Sequence, residues 1–174
     1  MNQEALKAEP RQGTLMRGTY KAIRDALPGC ARTALVIAYH TGARKGELRQ
    51  IRKDQIDFKA MRINLPGHTT KNKRPRFLPI YGDMGPELEM AIAAGVRDCS
   101  YVIQHAGKAV HDWEKAWVTA CSVAGAPGTL FHDLRRTALT NMIEAGLQRR
   151  RQWKSAGTAR ERCSIAITSS VTAE

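Results

Sequence analysis

The sequence predicts a single α+β domain that is mainly helical and carries a small antiparallel β-sheet. Two observations support this fold class. Apolar residues recur at helical spacing in the first and last thirds of the chain, whereas between Ile56 and Ile80 apolar and polar residues roughly alternate. A chain of 174 residues with 43% hydrophobic content is also long enough to bury one core.

Three helices are predicted before the sheet. The first ends at Pro28-Gly29, and its apolar residues are spaced by four, three and four positions: Met16, Tyr20, Ile23 and Leu27. The second is apolar through Leu35 to Ile37 and ends at Thr41-Gly42, and a short third helix follows from about Lys45.

The sheet is predicted from two strand-like segments on either side of the turn signal Pro66-Gly67. The second segment, Arg76 to Ile80, begins with the last residue of a basic hairpin that has the sequence KNKRPR. Helices resume at about 86–94, 110–124 and 131–147. In the last two, the residues predicted to face the core are Trp113 and Trp117, then Phe131, Leu134, Ala138 and Met142.

Charge favours a polyanionic partner. The chain has 28 Lys and Arg against 16 Asp and Glu, a net charge of +12 with a pI near 10. Clustered cations release counterions when they bind nucleic acid. A solvated basic surface is the alternative reading.

Several classes of protein are disfavoured. Cys30, Cys99, Cys121 and Cys163 form no C-x-x-C pair and have no histidine spacing suited to zinc, so we expect neither a metal site nor a disulfide framework. The polar N-terminus predicts no signal peptide, and no apolar run is long enough to span a membrane. A cytoplasmic protein is expected.

Four basic residues form a candidate site for phosphodiester chemistry. Arg44 lies in TGARKGEL, Lys71 in HTTKNKRPR, and His132 and Arg135 in FHDLRRTALT. Residues three apart on a helix share a face, but an isolated H-x-x-R is more often an ordinary surface pair. The combination of all three segments in a basic chain is what raises the odds of a site.

These segments resemble the tyrosine recombinase (phage integrase) family. TGARKGELRQIRKDQID and FHDLRRTALTNMIEAG are similar to its two conserved boxes, and TTKNKRPRFLPI is similar to the hairpin that carries its lysine. The resemblance covers about residues 14–147. It implies the catalytic-domain fold of that family, with double-stranded DNA and other recombinase subunits as partners.

The resemblance also implies a role for each catalytic candidate. Arg44 and Arg135 would grip the non-bridging oxygens of a scissile phosphate, since guanidinium groups stay charged and donate paired hydrogen bonds. Lys71 would protonate the departing 5′ oxygen, and His132 would act as acid or base. No metal or other cofactor is then required.

Other basic residues are expected to contact DNA, and one acid to support the site. The expected contacts are Lys45, Lys73, Arg74 and Arg76. Glu47 resembles a family acid that orients a basic neighbour, although solvation on a helix surface explains it nearly as well.

The nucleophile of the family is missing from its usual place. A tyrosine attacks the phosphate in this family. Here the four tyrosines are Tyr20, Tyr39, Tyr81 and Tyr101, all upstream of His132. The pattern departs at about Gln148, after which the sequence is polar and aperiodic. We therefore divide the chain into an arm (1–13), a recombinase-like core (14–147) and an aberrant tail (148–174).

A divergent or trimmed terminus would explain the tail, and a frameshift between about Ile143 and Lys154 explains it better. Each codon can be read in a shifted frame, as the last base of one residue's codon plus the first two bases of the next. In that frame, the codons of residues 155–168 are compatible with the sequence ISGHRTRAVFDRYN, which resembles the missing box. Its Gly-His falls at 157–158 and its tyrosine at 167, where this chain has Thr158 and Ile167.

The expected function is site-specific DNA recombination, such as integration of a mobile element, with catalysis impaired by the missing tyrosine. A non-catalytic DNA-binding remnant of an integrase is the main alternative. A poorly folded degradation product and a topoisomerase are the others.

Overall fold

The computed structural model describes residues 13–70 and 72–145, and it confirms a mainly helical α+β fold. The helices in this part are α1 (Arg17–Ala26), α2 (Gly29–Thr41), α3 (Lys45–Leu48), α4 (Met84–Ala94), α5 (Glu114–Val123) and α6 (Asp133–Glu144). The strands are β1 (Ile56–Asp57), β2 (Arg62–Leu65), β3 (Arg76–Pro79), β4 (Gln104–His105) and β5 (Lys108–Ala109). The predicted arm and tail lie almost entirely outside the described residues, as does Lys71.

Helix α2 forms the centre of the core. Leu35, Val36 and Ile37 are each fully buried, although three consecutive residues point in different directions around a helix. Such all-round burial requires neighbours on several sides, and α1, α4 and α6 supply them. The C-terminal end of α2 is therefore held firmly, and the first candidate site residue follows it directly.

Strands β1, β2 and β3 form an antiparallel sheet in the order β1-β2-β3. Ile63 pairs with Leu78, and both side chains are buried, whereas Arg62 and Asn64 are exposed. This alternation gives the sheet one core face and one solvent face. The segment that joins β2 to β3 is the predicted basic hairpin.

The structure differs from the sequence prediction at two helix starts. Met16 was expected to face the core but is 74% exposed, because it precedes the first residue of α1. Helix α5 begins at Glu114 and not at Val110. Asp112 precedes the N-cap residue Trp113, and its carboxylate Oδ1 accepts a hydrogen bond at 3.2 Å from the backbone N–H of Glu114, which has no partner within the helix.

A short hairpin, β4–β5, was missed. Its two-residue turn has positive φ at both Ala106 (48°) and Gly107 (79°). Glycine tolerates this conformation, but alanine rarely adopts it, so the dipeptide is a weak turn signal. Within residues 13–70 and 72–145, no helix is long and apolar enough to cross a membrane.

Candidate active site

Arg44 is placed by the turn that joins α2 to α3. Gly42 ends α2 in the left-handed conformation (φ 65°), and its N–H donates to the Ala38 carbonyl at 2.8 Å. Arg44 then precedes α3, and its backbone N–H donates to the Glu47 carboxylate at 2.8 Å. Glycine and glutamate in the sequence TGARKGE therefore fix the backbone from which the Arg44 side chain extends.

Glu47 is buried and accepts hydrogen bonds from two arginine side chains. Its carboxylate is 2% exposed. Nη2 of Arg76 donates to it at 2.7 Å, and Nη1 of Arg44 lies at 3.4 Å. A carboxylate shared in this way orients basic neighbours, as the sequence suggested, and joins β3 to α3.

His132 is placed by the loop before α6. The adjacent Phe131 side chain packs edge-on against the rings of Trp113 and Trp117, with ring centroids 5.4 and 5.1 Å away. Nε1 of Trp117 also donates to the Thr129 carbonyl at 2.8 Å. The tryptophan pair was predicted only as a buried helix face. Its further effect is to fix the backbone that presents the exposed His132 side chain.

Arg135 joins the two halves of the site. It lies in the first turn of α6, and its Nη1 donates to the Gly42 carbonyl at 2.7 Å. Burial lowers the pKa of the Arg135 guanidinium, and the positive charges of Arg44 and Arg76 lower this pKa further, against the opposite effect of Glu47. The group remains charged, because the ordinary arginine pKa is so high.

One open cavity of about 350 Å³ brings these residues together. Its walls include Arg44, His132 and Arg135, three of the four predicted catalytic residues. The fourth, Lys71, lies outside the described residues. The cavity exceeds the volume of a phosphate group, and both guanidinium groups are partly exposed, so the arrangement suits an anionic ligand.

The predicted DNA contacts fall into two groups. Lys73 and Arg74 are exposed in the hairpin between β2 and β3. Arg76 is instead bonded to Glu47. The Lys45 ammonium lies 2.9 Å from the Glu114 carboxylate and 3.2 Å from that of Asp112. Lys45 would have to leave these acids to reach a phosphate.

None of the four tyrosines, all in the described part of the chain, lines the cavity. Tyr20 and Tyr39 are stacked in the core with ring centroids 3.7 Å apart, and Tyr20 donates to Asp83 at 2.8 Å. Burial, and then the hydrogen bond and charge of Asp83, raise the pKa of Tyr20 far above its usual value. Burial raises the pKa of Tyr81 as well. The described residues therefore contain no phenol poised to attack a ligand in the cavity.

No group of three or more His, Cys, Asp or Glu side chains within residues 13–70 and 72–145 is arranged to hold a metal ion. Cys99 and Cys121 are buried free thiols, and Cys30 is half-buried. Burial raises the pKa of the Cys121 thiol to about 11, which keeps it protonated and unreactive.

A family model described as the phage integrase family matches residues 16–159. This range extends beyond residue 147, where we had placed the end of the recombinase-like core. No curated protein matches the sequence.

Solved structures show the same fold. The crystal structure of XerA recombinase is 19% identical, with a TM-score of 0.66 over 79% of this chain and 52% of that chain. The lambda integrase catalytic core is 17% identical, with a TM-score of 0.61 over 77% of this chain and 85% of that one. A lambda integrase(75–356) dimer bound to a COC′ core site is 18% identical, with a TM-score of 0.63 over 94% and 65% of the two chains. The described fold is therefore that of a tyrosine recombinase catalytic domain, and the chain spans about half the length of the XerA recombinase structure.

Proposed function

Since the chain belongs to the phage integrase family, we propose that it binds double-stranded DNA and takes part in site-specific recombination of a mobile element, such as its integration. The observation that carries this proposal is the convergence of Arg44, His132 and Arg135 on one cavity, from segments about 90 residues apart in sequence. A net charge of +12 favours the approach of DNA.

The two arginines would hold the non-bridging oxygens of one phosphodiester. A guanidinium has five N–H donors, and Arg135 uses one Nη1 donor on the Gly42 carbonyl. Its remaining donors are available to a ligand. Among the described residues, the side chain of Arg44 is held by the long contact to Glu47, so the other N–H donors of its guanidinium also face no described partner. Both groups would stabilise the charge that develops on the phosphate during attack.

His132 and Lys71 would transfer protons during the reaction. His132 is exposed at the cavity wall and has the side chain best suited to acid or base work near neutral pH. The role of Lys71 as donor to the departing 5′ oxygen rests on its place in the hairpin sequence. The proposed chemistry needs no metal or other cofactor.

We further propose that a polypeptide of this sequence binds DNA without cleaving it. No tyrosine lines the cavity in the described part of the chain, and residues 133–174 contain none. Serine and threonine hydroxyls are shorter and have a higher pKa than a phenol, so they would be poor substitutes. The same observation favours the second candidate function, a non-catalytic DNA-binding remnant of a mobile-element integrase that pairs with intact recombinase subunits on DNA.

Binding is tested by fluorescence anisotropy with a random-sequence duplex over a range of salt concentrations. The logarithm of the affinity should fall linearly with the logarithm of salt concentration. Arg44→Gln and Arg135→Gln should each reduce that slope by about 0.9, the amount expected for one lost phosphate contact. Arg97→Gln is the matched control, since Arg97 is exposed and does not line the cavity. Binding that is independent of salt, or an equal effect of the control, contradicts the proposal.

Cleavage is tested with a pool of nicked suicide duplexes, on which a nucleophile becomes trapped. The chain should form no covalent adduct that survives denaturing electrophoresis. A variant in which residues 155–168 read ISGHRTRAVFDRYN should form one, and an additional Arg44→Gln change should abolish it. An adduct with the original sequence would show that a working nucleophile is present.

A further inference from the structure

We propose that Arg76 is a positioning residue of the phosphate site, acting through Glu47 and not by touching DNA. The inference rests on the proposed function, since it concerns how that site holds Arg44. The sequence alone grouped Arg76 with Lys73 and Arg74 as a phosphate contact. The structure separates it from them by burial and by partner.

The contact distances show which arginine satisfies the buried carboxylate. Nη2 of Arg76 lies 2.7 Å from Oε2 of Glu47, within the range of a strong charge-assisted hydrogen bond. Nη1 of Arg44 lies 3.4 Å from Oε1, which is long for such a bond. Arg76 is therefore the main side-chain partner of Glu47. Arg44 is oriented by the carboxylate but keeps most of its donors for a ligand.

Burial makes this partner necessary. The side chain of Glu47 is 2% exposed, and a carboxylate removed from water needs a partner of opposite charge. Without Arg76, the carboxylate would draw the Arg44 guanidinium onto itself and away from the cavity. Arg44 and Arg135 lie near the same buried carboxylate as Arg76, and the charges of Arg44 and Arg76 add to the effect of burial in lowering the pKa of Arg135.

The same ion pair fastens the basic hairpin to the site. Arg76 is the first residue of β3 and pairs with Leu65, the last residue of β2, so it lies at the base of the hairpin. Lys73 and Arg74 belong to this hairpin, and the candidate catalytic lysine is five positions before Arg76 in sequence. The Arg76–Glu47 contact thus links the hairpin to the turn that carries Arg44.

The first test observes Arg44 directly by nuclear magnetic resonance of arginine Nε–H groups, with the Arg44 signal assigned from Arg44→Lys. Arg76→Lys and Arg76→Gln should both shift this signal, and Arg76→Lys should shift it less because it keeps the positive charge. Lys73→Gln is the control, as it removes one hairpin charge from an exposed side chain and should leave the signal in place. An Arg44 signal that neither Arg76 variant moves would overturn the proposal. Arg76→Lys serves this purpose even if Arg76→Gln fails to fold.

The second test is a double-mutant cycle on affinity for a random-sequence duplex. Arg76→Gln should weaken binding about tenfold in the original chain and less than about twofold when Glu47→Gln is already present, because the two residues are coupled. Equal losses in both backgrounds would mean that Arg76 contacts DNA itself. If the original chain does not bind DNA, the proposed function fails, while the resonance measurement still decides whether Arg76 positions Arg44.

Discussion

The acids that hold Lys45 should weaken DNA binding, and their removal should strengthen it. Glu114 lines the cavity beside the two arginines, so its charge opposes an incoming phosphate. Its carboxylate lies 2.9 Å from Nζ of Lys45, and both side chains are partly exposed, at 49% and 28%. An ion pair of this exposure contributes at most about 1 kcal/mol. If Lys45 must leave Glu114 to bind a phosphate, this energy lowers the affinity for DNA by up to about fivefold.

Glu114→Gln should therefore raise the affinity for a random-sequence duplex about two- to fivefold at low salt. In Asp112→Asn/Glu114→Gln, Lys45 has lost both of its acidic partners, so its ammonium can pair with a phosphate. The slope of log affinity against log salt should then steepen by about 0.9. Fluorescence anisotropy measures both quantities.

The matched control is Glu89→Gln, which removes the same charge from an exposed position on α4 that does not line the cavity. It should change the affinity less than Glu114→Gln does and should not alter the slope. If Glu89→Gln and Glu114→Gln have equal effects, only the net charge matters. If Asp112→Asn/Glu114→Gln binds with an unchanged slope, Lys45 does not reach DNA, and the reasoning about this ion pair is refuted.

Three further predictions concern the frame that holds the site. Phe131→Ala should lower the free energy of unfolding, measured in urea, by about 3–5 kcal/mol, because it leaves a cavity beside two tryptophans. The control Val118→Ala, at an exposed position, should change the free energy of unfolding by less than about 0.5 kcal/mol. Gly42→Ala and Gly125→Ala should each cost about 1–2 kcal/mol, because both glycines have positive φ. Only Gly42→Ala should also weaken DNA binding, because the Gly42 carbonyl accepts the 2.7 Å hydrogen bond from Arg135. Burial alone would raise the pKa of Asp83, but hydrogen bonds from His40, Tyr20 and Arg24 hold it below its usual range. The stability that Asp83 contributes should thus be present above about pH 4 and lost as the pH falls below it, and urea titrations should show a smaller acid loss for Asp83→Asn.

Much of the fold could be predicted because its helices and paired strands have local signals. The second helix is apolar on all sides and ends at a glycine, and the structure confirms both its burial and its end at Gly42. The hairpin at Ala106-Gly107 could not be predicted in the same way, because alanine at positive φ is atypical. The late start of α5 is accompanied by a hydrogen bond from the Glu114 backbone N–H to Asp112, whose side chain was a helix-start signal that the sequence prediction did not use.

The sequence singled out three residues that line one cavity in the structure, but it did not predict the bonds around them. Arg44, His132 and Arg135 could be selected by residue type and sequence context, and the structure places all three around one cavity. Sequence patterns do not show that Arg76 is bonded to Glu47 or that Lys45 is held by Glu114, since these partners lie 29 and 69 residues apart in the chain. Such long-range pairing is decided by the tertiary fold, which brings β3 and α5 to the two sides of α3.

The structure also shows which groups of the proposed site are held in place without a tyrosine in the cavity. The groups that position the two arginines and the histidine are the turn at Gly42, the carboxylate of Glu47 with Arg76, and the aromatic packing of Phe131, and all of them lie within the described residues. None of these contacts requires a residue beyond 145. The proposed phosphate site is thus built independently of a nucleophile, because its residues are held by contacts between α2, α3, β3 and α6. A substitution in the tail should accordingly abolish or restore covalent chemistry while leaving the affinity of the Arg44 and Arg135 site for DNA phosphates largely unchanged.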